Sequence, residues 1–192
     1  IASDSLLQVL QTLPHDTTRL STLNDIIKIE QNNYKCIQYS DTLMQEALKL
    51  KNDKYASLAA YYHLLYYYNR SEQDSVAKWI VRMEPYVQRS GLWDYFFDAQ
   101  RFQIDLYTFT EQYELAISEA NKMKQKALNT NSNRGTVAAY QCLSNAYIGS
   151  QRWDEGLKAL EEAYRLLPKK GNAVVHISVL SQLISVTKEM KD

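Results

Sequence analysis

The fold of this chain is decided between residues 140 and 168, which read YQCLSNAYIGSQRWDEGLKALEEAYRLLP. Large apolar side chains recur at helical spacing on both sides of a short break at 149–152. Gly156 falls where two such helices must approach closely, and Pro168 closes the second pattern. The stretch therefore predicts an antiparallel pair of helices, sealed by the large side chains Tyr140, Leu143, Tyr147 and Leu160.

The same pattern occurs once more in the preceding part of the chain. Tyr107 corresponds to Tyr147, and Ala116 corresponds to Gly156, at the same separation of 40 in residue number. A fixed period of this size is typical of stacked helical hairpins. Such stacks commonly serve as binding surfaces, so the pattern indicates a kind of function without indicating the ligand.

The composition agrees with an all-α fold. The chain has 192 residues, of which 45% are hydrophobic and 23% are charged, with only 5 glycines and 3 prolines. Few breaker residues combined with a strong 3.6-residue period favour helices. The length fits one ordinary domain or one short repeat array, so we predict a single repeat domain over residues 1–192.

We expect four helical hairpins and one helix at each end. The predicted hairpins cover about 16–51, 53–90, 92–128 and 136–168, and the end helices cover about 4–13 and 172–191. The last segment has a wide apolar face, and it is either a cap on the stack or the first half of a fifth hairpin; this face contains Val174, Ile177, Leu180, Leu183 and Ile184.

Two local features carry separate predictions. Pro85 lies inside the second helix of the second hairpin and is expected to bend or end it, because an interior proline removes a backbone hydrogen bond. Residues 129–135 are polar and rich in turn formers, and we predict a loop there.

The charge balance argues against nucleic acid and anionic lipid as partners. Lys+Arg and Asp+Glu are equal at 22 each, whereas nucleic-acid binders usually carry a basic face. A helical-repeat RNA binder is therefore the least favoured function class. The longest apolar stretch, Leu58–Tyr68, is interrupted by His63 and is too short to cross a bilayer. We expect no direct membrane contact from this segment.

No arrangement of residues typical of catalysis or metal binding is found in the sequence. His15, His63 and His176 form no metal-spaced pair, and the scattered glycines form no phosphate-binding loop. His63 is interpreted as packed among tyrosines. Cys36 and Cys142 are interpreted as small buried side chains, too far apart for a disulfide. We predict no enzymatic activity, no catalytic residue, no metal site and no cofactor.

The fourth hairpin resembles the tetratricopeptide repeat (TPR) family. The resemblance implies a right-handed superhelical stack of antiparallel hairpins, an α-solenoid, that binds proteins or peptides. The repeats are longer than is usual in the family, which implies longer helices. The matching residues are Tyr140, Leu143, Ser144, Tyr147, Gly156, Leu160, Ala163 and Pro168, and the earlier hairpins match less fully.

The N-terminal segment resembles the start of the sensor region in repeat proteins of the Bacteroidetes type. The similarity covers residues 4–7, 13–14 and 16–20. In those proteins the repeats precede a membrane helix and then a histidine kinase or DNA-binding output domain. The resemblance implies a periplasmic sensing region, with a cytoplasmic location as the alternative. Because the chain begins at Ile1 and its last helical pattern is still running at Asp192, we expect it to be a piece of a longer protein.

In TPR proteins the first helix of each hairpin lines a concave groove, and this implies a ligand-binding surface. Asn145 is the strongest candidate contact, because some peptide-binding repeats have asparagine at this site. Arg101 could bind a carboxylate, or it could simply pair with Asp105 one turn away. Tyr62 and Tyr66 could recognise a ligand or pack in the interior. The full predicted set is Tyr62, Tyr66, Asp98, Arg101, Asp105, Gln141 and Asn145.

The predicted function is non-enzymatic recognition of a protein or peptide segment, as the ligand-sensing or interaction region of a larger bacterial signalling protein. The alternative is a structural adaptor or oligomerisation module without a groove ligand. In that case the partner would be a second copy of the chain, in a homodimer.

Overall fold

The chain is all-α over the residues described in the structure, a computed structural model in which residues 2–30, 34–167 and 173–189 are described. These residues form ten helices and contain no strand, which confirms the all-α part of the predicted fold class. The helices are α1 (Ala2–Thr12), α2 (Thr17–Glu30), α3 (Lys35–Lys49), α4 (Asp53–Tyr68), α5 (Gln73–Ser90), α6 (Trp93–Phe109), α7 (Tyr113–Asn129), α8 (Asn133–Gly149), α9 (Trp153–Arg165) and α10 (Ala173–Glu189).

Helix starts recur with a constant spacing from α4 onward. The first residues of α4 to α10 are numbers 53, 73, 93, 113, 133, 153 and 173, which is a constant interval of 20. Two such intervals give the period of 40 found in the sequence. The helices α4 to α8 contain 16 to 18 residues, so each interval of 20 residues is almost entirely helix with a short turn.

A residue with positive φ lies at each turn from α3–α4 to α8–α9, also at intervals of 20. The residues are Lys51, Ser71, Gly91, Glu111, Asn131 and Gln151, with φ between 51° and 74°. At Gln151, for example, the N–H donates to the carbonyl of Ile148 at 2.9 Å, and the N–H of Arg152 donates to the carbonyl of Tyr147 at 2.8 Å. This pair of bonds is a Schellman motif, and it occurs at all five non-glycine turns. The turn, rather than a glycine, is thus the repeated element.

Pro85 does not end its helix. Helix α5 continues through Pro85 to Ser90 and stops at Gly91, which has left-handed backbone angles. The proline lacks the N–H that would donate to the carbonyl of Val81, and the Val81 side chain is 71% exposed. Because this side of the helix faces solvent, water can replace the lost hydrogen bond and the helix continues.

The loop predicted over 129–135 is shorter than expected. Helix α8 begins at Asn133, because Ser132 caps it: the Ser132 Oγ accepts a hydrogen bond from the N–H of Gly135 at 3.0 Å. The closing Pro168 of the predicted fourth hairpin lies outside the described residues, as do the predicted helical ends at 172 and 190–191.

The chain divides into two compact units, Ile1–Ala99 and Gln100–Asp192. In the first unit, α3 packs against α2 and α4, and α5 packs against α4. Arg19 joins the first three helices, since its Nε lies 2.9 Å from both carboxylate oxygens of Glu46 and its guanidinium also donates to the carbonyl of Leu10. The fully buried side chains of this unit include Leu20, Leu23, Ile26, Leu43, Leu64 and Met83.

In the second unit, α8 packs against α7 and α9, and α10 packs against α9. Gly156 lies at the close approach of α8 and α9, as predicted. A Cβ added there would lie 2.7 Å from Cγ1 of Ile148 and 3.4 Å from the carbonyl oxygen of Ser144. Val137, Ala163 and Val179 form the buried cluster that joins α10 to this hairpin.

Candidate functional site

Tyr62 lies in the interior of the first unit. Its side chain is 4% exposed, and its hydroxyl donates a hydrogen bond to Oδ1 of Asn24 at 2.9 Å. Burial is the main reason that the pKa of this phenol is raised. Tyr62 therefore packs α4 against α2. Tyr66 is half-buried, and the guanidinium of Arg70 lies 3.5 Å from the centre of its ring.

The register of the turns explains why Tyr62 is buried. The repeat interval of 40 places Tyr61 at the position equivalent to Arg101, and Leu65 at the position equivalent to Asp105. The sequence pattern instead assigns Tyr62 and Tyr66 to these positions, one residue further along. A shift of one residue turns a helical side chain by about 100°, which is enough to move it from a partly exposed face to a packed face.

Three of the predicted site residues lie on α6, and all are half-buried. Asp98 belongs to the first unit, and Arg101 and Asp105 belong to the second. The guanidinium of Arg101 lies 5.1 Å from the ring centre of Phe102. Burial raises the pKa of the Asp105 carboxyl, and the charge of Arg101 acts in the opposite direction with a smaller effect.

Gln141 and Asn145 form a hydrogen-bonded network with α10. The Gln141 Nε2 donates to Oε1 of Gln182 at 3.0 Å and to Oγ of Ser178 at 3.1 Å. The Gln182 Nε2 in turn donates to Oδ1 of Asn145 at 3.0 Å. We call these three carboxamides, Gln141, Asn145 and Gln182, the amide ladder. Sequence reasoning found the two members on α8 and missed Gln182, although its spacing from Ser178 places both on one helical face.

Two of the interhelical hydrogen bonds described above, Tyr62 to Asn24 and Gln182 to Asn145, start from the same position of the repeat. Tyr62 and Gln182 are equivalent, because α4 and α10 begin three repeat intervals apart, and each hydrogen-bonds an asparagine on an earlier first helix. Cys142 is the equivalent residue on α8 and is 1% exposed. The pKa of its thiol is raised by burial first and by the charge of Asp105 second.

His63 occupies a site in the first unit that differs from the predicted packing among tyrosines. Its ring stacks on that of Trp79 at 4.0 Å with an interplanar angle of 2°, and Arg82 lies 4.4 Å from the Trp79 ring. The Nε2 lies 3.1 Å from Oδ1 of Asp41, but neither ring nitrogen has a well-aligned hydrogen bond. Burial lowers the pKa of His63 to about 4, against the raising effect of Asp41.

An open depression of about 680 Å³ lies beside this stack. Tyr67, Lys78, Trp79 and Arg82 contribute to its wall, so aromatic and cationic groups are adjacent there. A parallel stack of a histidine on a tryptophan requires residues from two helices, and this is why the sequence alone could not indicate it.

Other chemistry-bearing residues show no clustering in the described residues. No group of three or more His, Cys, Asp or Glu side chains among them could hold a metal ion. Cys36 and Cys142 are each 1% exposed, and burial raises the pKa of both thiols. None of the helices in the described ranges combines the length and the apolar character that crossing a membrane requires.

Comparison with known proteins gives no family assignment: no protein-family model matches the chain, and no curated protein matches it.

Proposed function

We propose that this chain is a non-enzymatic, TPR-like repeat domain that recognises a protein or peptide segment. The constant spacing of helix starts and the Schellman turns support a hairpin repeat. The close approach at Gly156 supports TPR-like packing within the hairpin. In this proposal the hairpins stack into a right-handed superhelix, and the first helices of the hairpins face the ligand.

The amide ladder is the observation that carries the proposal. A carboxamide offers both a donor and an acceptor, as a peptide backbone does. The ladder lies at the surface, where Gln141 and Asn145 are only half-buried. An extended peptide can therefore take over its hydrogen bonds with little desolvation cost. Arg101, half-buried in the same unit on α6, supplies a cation for an acidic group of the ligand.

Binding by this surface requires the amides to exchange their partners. In the structure Gln141 and Asn145 bond to α10, so a ligand competes with Gln182 for the same atoms. Tyr62, buried against Asn24, has no part in the proposed contact. In the first unit, taken by itself, the half-buried Tyr66 and Asp98 remain candidate contacts.

The biological setting is part of the same proposal. We propose a ligand-sensing or interaction region of a bacterial signalling protein in the periplasm, where ligand binding would bias a downstream output domain. The resemblance of the N-terminal segment supports this setting. A structural adaptor that self-associates is the alternative.

A peptide-array experiment followed by titration tests the proposal. Peptides captured by the wild-type chain are then titrated with the wild type and with the double variant Arg101→Ala with Asn145→Ala. The matched control is Arg165→Ala with Gln125→Ala, which removes an arginine and an amide from the second helices α9 and α7. We expect at least about a tenfold loss of affinity for the first variant alone, a loss of roughly 1.4 kcal/mol.

Equal affinity of both double variants would contradict the proposed surface. Failure of any peptide to bind, together with a molar mass that rises with concentration in light scattering, would favour the adaptor instead.

A further inference from the structure

Helix α10 exposes an apolar stripe on the side away from the fourth hairpin. The stripe consists of Ile177, Leu180 and Ile184, which are 63%, 41% and 67% exposed. On the opposite side, Val179 and Val186 are buried at 0% and 4%. These spacings place the stripe on one helical face, and branched side chains on such a face are usually covered.

The positions equivalent to Ile177 and Ile184 are buried in the three preceding first helices. Those equivalent to Leu180 are half-buried at Tyr140 and Gln100 and buried at Ala60. Counting back from Ile177 in steps of 40 gives Val137, Phe97 and Ser57, with exposures of 3%, 1% and 0%. Counting back from Ile184 in the same way gives Ser144, Ile104 and Leu64, with exposures of 0%, 1% and 0%. The two ends of the stripe, Ile177 and Ile184, therefore lie on the face that the first helices α4, α6 and α8 bury.

The fourth hairpin shows what covers this face. Its second helix, α9, places Gly156 next to the Ser144 backbone and Ala163 in the cluster with Val137. The pairing is antiparallel, because residues further along α9 contact residues earlier in α8. Small residues on the second helix allow the two backbones to approach.

We propose that α10 is the first helix of a fifth hairpin and that its stripe docks one antiparallel, amphipathic helix of the α5, α7 and α9 class, from outside residues 1–192. Helices α5 and α9 already pack against α4 and α8, so they cannot also cover the stripe on α10. The docked helix carries a small residue opposite Ile184. Its contact face is uncharged, since α10 has no charged residue from Ile177 to Thr187.

A second copy of α10 fits the stripe less well than such a helix. Antiparallel pairing of two copies would bring Ile177 of one against Ile184 of the other, with no small residue to admit close packing. The surface is separate from the amide ladder, which lies on the side of α10 that faces α8. The inference therefore does not depend on the proposed ligand.

The test supplies a helix of the required class at the predicted register. Residues 191–192 are replaced by a copy of residues 111–130, so that the copied α7 starts one helix interval after the start of α10. The reporter is Ile184→Cys, and its rate of reaction with a soluble thiol reagent is compared with and without the graft. The native thiols of Cys36 and Cys142 are 1% exposed and react little. Val81→Cys, at a site 71% exposed on α5, is the matched control.

We expect the graft to slow labelling at position 184 by about tenfold or more and to leave the Val81→Cys control unchanged. A graft whose copies of Ala116 and Ala120 are replaced by aspartate should give no protection. Equal labelling with and without the graft would overturn the proposal. Protection in the ungrafted chain that grows with protein concentration, with a doubled molar mass, would overturn it in favour of a second copy.

Discussion

Tyr62 in the first unit and Gln182 in the second occupy the same position in the repeat, and each hydrogen-bonds an asparagine of an earlier first helix. In the first unit both partners are buried, at 4% exposure for Tyr62 and 6% for Asn24. In the second unit Gln182 and Asn145 are half-buried, and Gln182 also accepts a hydrogen bond from Gln141. A hydrogen bond from the same repeat position is thus part of a core in one unit and part of a surface in the other.

The difference matters because water can replace a surface hydrogen bond but cannot replace a buried one. The polar groups of the first unit are therefore expected to control its stability. The half-buried amide ladder of the second unit can exchange its partners with water, as the proposed ligand recognition requires. His63 is also buried in the first unit, at 2% exposure. The stability of that unit is therefore expected to depend on pH.

The largest expected effect is a pH dependence confined to the first unit. The pKa of His63 is about 4 in the folded chain and about 6.5 when unfolded. The unfolded chain therefore binds the proton first, so this stability is present above pH 6.5 and is lost as the pH falls from there through 4. Between pH 7.5 and 4.5 the loss is roughly 2–3 kcal/mol. Hydrogen exchange should show it in α4 peptides, and His63→Phe should abolish it.

The groups that face His63 from its neighbours are Asp41 on α3 and Arg82 on α5. Asp41→Asn provides a control, because it removes the raising influence on the pKa and keeps the shape of the side chain. The same pH slope in the wild type and in His63→Phe would show that the histidine is not responsible.

The next prediction compares the hydrogen bonds made by Tyr62 and by Gln182. Tyr62→Phe leaves the Asn24 amide buried without its donor and should cost about 2 kcal/mol of unfolding free energy. Gln182→Met removes the matching bond in the second unit and should cost about 0.5 kcal/mol, because water reaches Asn145. Urea denaturation with hydrogen exchange measures both. Similar costs for the two variants would erase the contrast between core and surface.

The smallest effect concerns the left-handed turn residue, which the two units share. Lys51 and Glu111 hold the same left-handed turn position, with φ of 51° and 60°. Glycine is preferred there, so Lys51→Gly and Glu111→Gly should each stabilise their unit by about 0.5 kcal/mol. Gly91→Ala is the reverse control, and it meets no neighbouring atom within 4 Å. Melting curves check these shifts, and unequal gains in the two units would show that the turns are not equivalent.

Much of the fold follows from the sequence. The period of 40, the helical spacing of apolar residues and the small residue at Gly156 depend on local geometry, so they can be read along the chain. The sequence prediction starts α8 too late because it assigns Ser132 to a loop, although serine is a common helix cap. The predicted end of α5 at Pro85 is wrong, because the exposed surroundings that let the helix continue are not visible in the sequence.

The candidate site was less predictable. The polar positions on α6 and α8 follow from a period of 40, but the second hairpin is assigned one residue out of register, which puts the buried Tyr62 on the ligand face. A shift of one residue is invisible where Tyr61 and Tyr62 are chemically identical neighbours. The turns at Ser71 and Glu111 fix the register, and their φ values are known only from the structure.

The sequence by itself determined that this protein is built from helical hairpins, because a helix buries one stripe and that stripe repeats every 3.6 residues. Only the tertiary structure decided which polar side chains meet: His63 with Trp79, Tyr62 with Asn24, and the amide ladder across α8 and α10. These contacts join residues far apart in the chain, and whether a polar group is then buried or hydrated depends on what packs over it. That is a property of neighbouring helices, and no local pattern in the chain records it.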